Sequence, residues 1–151
     1  MKVADRLQYF RAGLRGLFAP VSLGVQAIAT DTAGRVLLIR HTYRPGWYLP
    51  GGGIKRFESG ERAIARELAE EAGVVHANAP ILFGFYLRRV GGHSDYIALY
   101  TVKDAVANFR PNVEIAELRL ADPNAPPLGT SAGTLRRLAE FTGKTNKSAE
   151  W

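Results

Sequence analysis

Residues 51–74 read GGGIKRFESGERAIARELAEEAGV: a run of glycines, a short basic loop and then a stretch with helical signals. Ser59 is a favourable N-cap, and Gly73 is typical of the position just past a helix end. The sequence therefore predicts a helix from Ser59 to the residue before Gly73. Ile64 and Leu68 lie four residues apart and mark the apolar face that should dock on a sheet.

Three glutamates share one face of this predicted helix. Glu67, Glu70 and Glu71 stand at positions i, i+3 and i+4. Carboxylates this close repel each other, and a divalent cation between them would turn the repulsion into binding. The alternative is a solvated helix face held by i,i+4 ion pairs, such as Arg66 with Glu70. On the helix alone, that alternative is the commoner one.

The composition limits which metal such a site can hold. The 151 residues include no cysteine and three histidines, which excludes disulfides, cysteine-ligated zinc, iron–sulfur clusters and thiol nucleophiles. Oxygen ligands favour Mg²⁺, with Mn²⁺ as a substitute. The net charge is +6, but residues 58–71 hold five acids and two bases, a local −3, so the rest of the chain carries +9. This contrast indicates a cation site that faces an anionic ligand.

The glycines before the helix add backbone atoms to the candidate site. Three glycines in succession, Gly51 to Gly53, allow conformations closed to other residues and a close approach of the main chain to a metal or a phosphate. Basic side chains in the surrounding sequence are then expected to bind the substrate through its phosphate oxygens. They are Arg40, Arg44, Lys55 and Arg56.

The spacing of the whole stretch resembles the Nudix box of hydrolases that act on a nucleoside diphosphate linked to another moiety. That signature is Gly, five residues, Glu, seven residues, Arg-Glu-apolar, one residue, Glu-Glu, one residue, Gly-apolar. The chain meets it with Gly52, Glu58, Arg66, Glu67, Leu68, Glu70, Glu71, Gly73 and Val74. From ordinary residue frequencies, a chance match in a chain of this length is on the order of 10⁻⁷.

The resemblance implies an α+β fold, a Nudix α/β/α sandwich with a mixed sheet and a catalytic loop–helix–loop. It implies Mg²⁺ bound by Glu67 and Glu71, with Glu70 close behind and the backbone carbonyl of Gly51 as a further ligand. Glu58 and Arg66 would orient these ligands. The implied reaction is attack of a metal-activated water on a phosphorus of a diphosphate bridge, with Glu67, Glu70 and Arg66 in the catalytic group.

Residues in two places are candidates for the general base, because family members differ in where it lies. One candidate is a glutamate of the box, with Glu67 first. The other is a carboxylate in the loop before the last strand, where Glu114 and Glu117 are available. Glu114 can equally be an ordinary exposed loop acid.

One position of the box departs from the commonest pattern. Many family members have a glycine just before the first glutamate, where this chain has Phe57. The signature leaves this position free, so activity is not in doubt, but the loop should be stiffer and the ring should face substrate or core. Trp47 lies where an aromatic ring could stack on a base of the substrate, and a packing role for it is equally open.

The rest of the chain completes one domain. Residues 1–20 predict a basic amphipathic helix packed on the domain, with membrane binding as the alternative. Residues 21–143 form the Nudix-like domain, and residues 144–151 a polar, frayed tail. A last helix is predicted from Ser131 to Thr142. Strands are predicted at 23–30, 35–41, 81–89, 96–103 and 117–121.

The leading functional hypothesis is Mg²⁺-dependent hydrolysis of a small nucleotide, either a nucleoside triphosphate or a nucleoside diphosphate derivative. Removal of pyrophosphate from an RNA 5′ end is the second hypothesis, prompted by the basic charge outside the box. A nucleotide-sensing module without catalysis is the third. Specificity marks for ADP-ribose or dinucleoside polyphosphates are missing downstream of the box. The sequence also favours a cytoplasmic location and no stable membrane association, and the resemblance adds a homodimer as an option.

Overall fold

The computed structural model describes residues 21–151, so the helix predicted for residues 1–20 lies outside the described residues. Two helices are present in this part of the chain, α1 (Gly60–Ala72) and α2 (Ala132–Phe141). Neither is long and apolar enough to cross a membrane. The strands are β1 (Val21–Ala29), β2 (Val36–His41), β3 (Gly51–Gly53), β4 (Val74–His76), β5 (Ile81–Val90), β6 (His93–Val102), β7 (Val106–Ala107) and β8 (Ile115–Ala121).

A mixed four-stranded sheet in the order β3-β1-β6-β5 forms the centre of the protein. The neighbouring strands β1 and β6 run parallel, and the other pairs in this sheet are antiparallel. Strands β2 and β8 form a separate antiparallel pair, and β4 and β7 form a shorter one. The predicted mixed sheet is therefore confirmed.

The alternation of side chains along β1 divides the core into two layers. Val25 and Ala27 face a cluster that contains Ile64 and Leu68 of α1. Ile28 faces the other way, into a cluster completed by α2. Because successive strand residues point to opposite faces, one strand serves both layers. The helices cover the two faces, which confirms the predicted α/β/α sandwich.

Helix α1 forms where its end signals predict it. The side chain of Ser59 accepts a hydrogen bond from the backbone N–H of Arg62, and Gly73 adopts a left-handed conformation with φ 64°. Its N–H then satisfies the free carbonyl of Leu68 at the end of the helix. Helix α2 likewise begins directly after an N-cap serine, Ser131.

The strand predictions hold at their centres and differ at their ends. Strand β6 begins at His93 rather than Tyr96, because Gly91 and Gly92 both have positive φ and close a tight turn to β5. Strands β3, β4 and β7 were not predicted. Each has three residues or fewer, too few for a hydrophobic alternation to be visible.

The prediction of a frayed tail at residues 144–151 is wrong. The tail runs beside β5, with backbone hydrogen bonds that join Leu87 to Ala149 and to Trp151 at 2.9 Å. The Trp151 ring lies edge-on to Tyr86, 5.7 Å between centroids. Arg137 also donates to the carbonyl of Glu150. The polar composition suggested fraying, but the partners that hold the tail are distant in sequence.

A buried ion pair anchors both α2 and this tail. Arg137 and Glu140 are separated by 2.9 Å, and both side chains are almost fully buried. Glu140 also accepts hydrogen bonds from the Tyr86 hydroxyl and the Ser148 backbone N–H. The Arg137 guanidinium lies over the Tyr86 ring at 4.1 Å. A buried cation of this kind depends on its single carboxylate.

Replacing Glu140→Ala should therefore lower the free energy of unfolding by about 3–5 kcal/mol, because it leaves Arg137 buried and unpaired. Urea denaturation followed by circular dichroism measures the change. The matched control is Glu150→Ala, which removes an exposed partner of Arg89 at 3.4 Å and should change stability by less than about 1 kcal/mol. Equal effects of the two substitutions would contradict the anchoring role of the buried pair.

Candidate active site

The three glutamates of α1 occupy different environments along the predicted face. Glu71 is buried, with 7% of its surface exposed, and its Oε2 accepts a hydrogen bond of 2.8 Å from the backbone N–H of Gly51. The Glu67 side chain is largely covered, whereas Glu70 is more than half exposed. The carboxylates thus extend from the glycine strand β3 out to solvent.

Burial changes the acidity of Glu71. Removal from water is the largest cause that raises the pKa of its carboxyl, to about 7, and the nearby charges of Glu67 and Glu114 raise it further. The Gly51 N–H and the charge of Arg44 act in the opposite direction. The carboxylates therefore concentrate negative charge at one point, where a cation would relieve it.

Arg66 connects the helix to the loop before it. Its guanidinium makes two hydrogen bonds of 2.8 Å to the carboxylate of Glu58 and one of 3.1 Å to the carbonyl of Gly53. It also contacts Glu67 at 2.5 Å and Glu70 at 3.4 Å. Arg66 lowers the pKa of Glu58 to about 2, helped by the backbone N–H of Lys55. Arg66 thus holds both the first glutamate of the box and the loop.

Two glycines of β3 are required by close approach. Gly51 has φ 152°, and a Cβ there would lie 2.1 Å from the carbonyl oxygen of Val25. A Cβ on Gly52 would lie 2.5 Å from the carboxylate of Glu67. Any side chain at Gly52 would therefore displace the glutamate that the box places there.

Phe57 has a backbone conformation that favours glycine, the residue that many family members have at this position. Its φ is 62°, in the left-handed region, and its side chain is 90% exposed. The ring lies beside the guanidinium of Arg56 at 4.6 Å. The exposed ring rules out the core alternative, and contact of the ring with substrate stays a prediction.

The predicted phosphate-binding bases lie in three places. Arg44 is near Glu71, with its guanidinium 3.8 Å over the Tyr48 ring and 2.8 Å from Nε2 of His41. Lys55 and Arg56 are exposed on the loop before α1. Arg40 instead pairs with Glu117 of β8 at 2.6 Å.

Trp47 does not fit the predicted stacking on a substrate base. Its side chain is 6% exposed and belongs to the core layer beneath α2. The guanidinium of Arg119 lies over the ring at 4.4 Å, and that of Arg40 at 5.9 Å. Of the two alternatives, the structure supports packing, because the ring is buried in the core.

The two candidate carboxylates of the loop, Glu114 and Glu117, lie in different surroundings. Glu117 is held by Arg40, which lowers the pKa of its carboxyl and makes it a weaker base. Glu114 is exposed, and its charge is felt by both Glu71 and Tyr43. Its loop is ordered by Asn112, whose side-chain oxygen accepts from the N–H groups of Glu114 and Ile115. Glu114 thus lies on the same side as the box.

The donor set suits a hard cation. Carboxylate oxygens from α1 and main-chain oxygens of the glycine strand are the ligands that Mg²⁺ prefers. Across residues 21–151, no three acidic or histidine side chains are already arranged as a metal cluster. Arg66 instead occupies the oxygens of Glu67 and Glu70, so cation binding requires these side chains to turn.

A cavity of about 200 Å³ opens beside the glycine strand and was not predicted from the sequence. It lies between the sheet and the start of α2. Gln26, Arg44, Arg88 and Arg136 line it, together with Tyr48 and Trp151. The only sequence signal was the alternation along β1, which places Gln26 on the α2 face, because Arg88 and Arg136 join the cavity through tertiary folding.

The chain is similar to known proteins in sequence. The family model described as NUDIX domain matches residues 21–140. An RNA pyrophosphohydrolase of Saccharophagus degradans is 44% identical over 59 residues, 38% of this chain and 35% of the relative. Diphosphoinositol polyphosphate phosphohydrolase 2 of Rattus norvegicus is 33% identical over 91 residues, 60% of this chain and 50% of the relative. The chain thus spans half or less of these two curated relatives.

A solved structure shares the fold. The MutT NUDIX hydrolase from Burkholderia pseudomallei superimposes with a TM-score of 0.68 at 24% sequence identity, over 78% of this chain and 95% of that chain. At this identity the likeness concerns the arrangement of strands and helices.

Replacing Phe57→Gly should raise the free energy of unfolding by up to about 1 kcal/mol, because a left-handed conformation costs a non-glycine residue roughly 1–2 kcal/mol. The greater freedom of glycine in the unfolded chain offsets part of this gain. Phe57→Ala is the matched control, since it removes the ring but keeps the strained conformation. Urea denaturation should show a gain for glycine alone, and an equal gain for alanine would argue against strain.

In EDTA, the ionisation of the Glu71 carboxyl should lower the free energy of unfolding as the pH rises. Its folded pKa is about 7 against an ordinary 4.5, so its contribution is fully present below pH 4.5 and lost by pH 7. Buried His41, with a pKa lowered to about 4, acts oppositely over an overlapping range. The difference in free energy of unfolding between Glu71→Gln and the wild type isolates the effect of Glu71 from that of His41. This difference should shift in favour of Glu71→Gln by about 3 kcal/mol from pH 4.5 to 7.

Thermal denaturation at several pH values measures this difference. Glu61→Gln is the control, an exposed glutamate in the first turn of the same helix. It should keep the pH profile of the wild type. A Glu71→Gln profile parallel to that of the wild type would show that Glu71 has an ordinary pKa in the folded protein.

Proposed function

Because the chain belongs to the NUDIX domain family, we propose that it is a Mg²⁺-dependent hydrolase that cleaves a diphosphate linkage in a nucleotide. The observation that carries the proposal is the buried carboxylate of Glu71, fixed by the Gly51 N–H beside two further acidic charges. A structural helix gains nothing from this arrangement, whereas a metal site does.

The metal ligands in this proposal are Glu67, Glu70 and Glu71, with the Gly51 carbonyl. Mn²⁺ would bind the same oxygens. When bound, the cation supplies a water of lowered pKa and neutralises charge on the phosphates. Glu58 and Arg66 hold the ligands in place through the hydrogen bonds described above. Cation binding would require Glu67 and Glu70 to leave Arg66, which would keep its two hydrogen bonds to Glu58.

Arg44, Lys55 and Arg56 bind the non-bridging phosphate oxygens in the proposed complex. Arg44 supports this role best, because its charge already reaches Glu71 and its guanidinium is fixed on the Tyr48 ring. Lys55 and Arg56 lie on the exposed loop and are free to close on a polyphosphate chain. Arg40 contributes less directly, since Glu117 holds its guanidinium.

The proton from the attacking water passes to one of two carboxylates. Glu67 lies on α1 within reach of the ligand cluster, and Glu114 faces the same region from the opposite loop. The exposure of Glu114 and its freedom from any ion pair among the described residues favour it as the base. Glu67 then serves as a metal ligand only.

RNA with a 5′ pyrophosphate is the second candidate substrate. The 44% identity to an RNA pyrophosphohydrolase and the +9 charge outside the box support it. A nucleotide-sensing module is the third candidate, although a binder does not need three box glutamates. A cytoplasmic location, a homodimer and the absence of stable membrane association stay predictions.

Release of phosphate or pyrophosphate should be measured on nucleoside triphosphates, ADP-ribose, sugar nucleotides, dinucleoside polyphosphates and 5′-triphosphate RNA, with Mg²⁺ and with EDTA. We expect turnover of one class that EDTA abolishes. Glu71→Gln should lower kcat roughly a hundredfold or more, since a metal ligand contributes several kcal/mol. It should also abolish the rise in Tm that Mg²⁺ gives the wild type.

Two further variants sharpen this measurement. Glu114→Gln should lower kcat roughly a hundredfold and keep the Tm rise with Mg²⁺, whereas unchanged turnover would assign the base to Glu67. Glu61→Gln should leave both readouts at wild-type values. Silence across the whole panel, with nucleotide binding retained, would favour the sensing module. RNA turnover faster than that of any small nucleotide would favour the second candidate.

A further inference from the structure

Three arginines converge on the cavity beside the glycine strand. Arg88 belongs to β5 and lies on the same face as Tyr86, whose hydroxyl bonds to α2. Arg136 lies on α2 itself, and Arg44 comes from the loop after β2. The strand alternation and the helix position thus bring together three guanidinium groups that are far apart in sequence.

The cavity has an excess of positive charge. The ion pair of 2.6 Å between Arg88 and Asp95 neutralises one of the three cations. Arg136 donates to the main-chain oxygen of Trp151 at 2.7 Å, and Arg44 contacts the imidazole of His41. The start of α2, where free N–H groups carry partial positive charge, adds to the same side.

The aromatic side chains of the cavity are already engaged. The face of Tyr48 carries the Arg44 guanidinium at 3.8 Å. The Trp151 indole packs against Gly133, where a Cβ would lie 2.4 Å from its Nε1, and it meets the Tyr86 edge. Little aromatic surface is left for a neutral base to stack on, whereas the guanidinium groups keep donors that suit phosphate oxygens.

The cavity and the candidate active site share Arg44, and both lie beside the glycine strand. Gln26 lines the cavity and pairs in register with Gly51, the residue whose N–H binds Glu71. Arg44 belongs to both places, because it lines the cavity and its charge reaches Glu71. This shared arginine is the observation that links the cavity to the box.

We propose that this cavity binds a phosphate group that the reaction does not cleave, so that the preferred substrate carries at least one phosphate besides the hydrolysed diphosphate. The proposal rests on the function proposed above for its link to catalysis, but the binding itself is independent of hydrolysis. Arg88 and Arg136 are the specificity-determining residues, and Gln26 is a neutral hydrogen-bonding partner.

Binding should first be measured in EDTA, where no hydrolysis occurs. Calorimetric titration compares adenosine 3′,5′-bisphosphate with adenosine 5′-monophosphate, which lacks the second phosphate. We expect the bisphosphate to bind roughly tenfold tighter or more, the value of one charged hydrogen-bonding contact. Arg88→Gln and Arg136→Gln should each reduce this preference to near unity. Equal affinities in the wild type, or a preference that survives both substitutions, would overturn the proposal.

Arg35→Gln is the matched control for Arg88→Gln. Both arginines are about half exposed and form an ion pair with an aspartate at 2.6–2.7 Å, but Arg35 lies at the turn after β1. Each substitution removes the same charge and the same kind of pair. The control should keep the bisphosphate preference, and a loss equal to that of Arg88→Gln would reduce the effect to net charge and overturn the assigned site.

Hydrolysis then separates this proposal from the catalytic one. With Mg²⁺, kcat/KM is compared for ADP-ribose 2′-phosphate and ADP-ribose, which differ by one phosphate. We expect the phosphorylated member to be favoured roughly tenfold in the wild type and not in Arg88→Gln. A bisphosphate preference in EDTA without any turnover would support the cavity while contradicting hydrolysis. Turnover without a preference for the additional phosphate, in binding or in hydrolysis, would support hydrolysis and contradict the cavity.

Discussion

The hydrogen bond from the Gly51 N–H to the Glu71 carboxylate joins the edge strand of the central sheet to the helix that carries the acidic face. It needs a glycine strand, because any side chain at Gly51 would collide with Val25. It also needs α1 to dock closely, which Ile64 and Leu68 achieve by burial. The core and the site are therefore coupled, since the same contact that packs the helix places the carboxylate.

One arginine balances the charge of the other three carboxylates around this bond. Arg66 binds Glu58 with two parallel hydrogen bonds and reaches Glu67 and Glu70 as well. Among residues 21–151, no cation forms such a direct contact with Glu71, and the pKa of its carboxyl is raised. The box thus contains one buried carboxylate without a paired arginine, that of Glu71, beside two carboxylates, those of Glu67 and Glu70, that are paired with Arg66. This inequality, more than the number of glutamates, suits the site to a divalent cation.

The opposite layer of the sandwich depends on a second buried charge. Arg137 holds the end of α2 and the tail through Glu140 and the carbonyl of Glu150. The tail in turn places Trp151 at the wall of the cavity. A polar, low-hydrophobicity segment is ordered here because its backbone pairs with β5 and because two aromatic rings enclose a guanidinium.

The sequence by itself determined the helix α1, its caps, its apolar face and the acidic row, because these depend on residues three or four apart in one segment. It also determined where the longer strands lie along the chain and, through the box, the family. Only the tertiary structure decided that Trp47 is core, that Arg66 holds Glu58 eight residues away, that the tail is ordered and that Arg88 and Arg136 share a cavity. These outcomes depend on which distant segments meet, and strand pairing, not local pattern, sets those meetings.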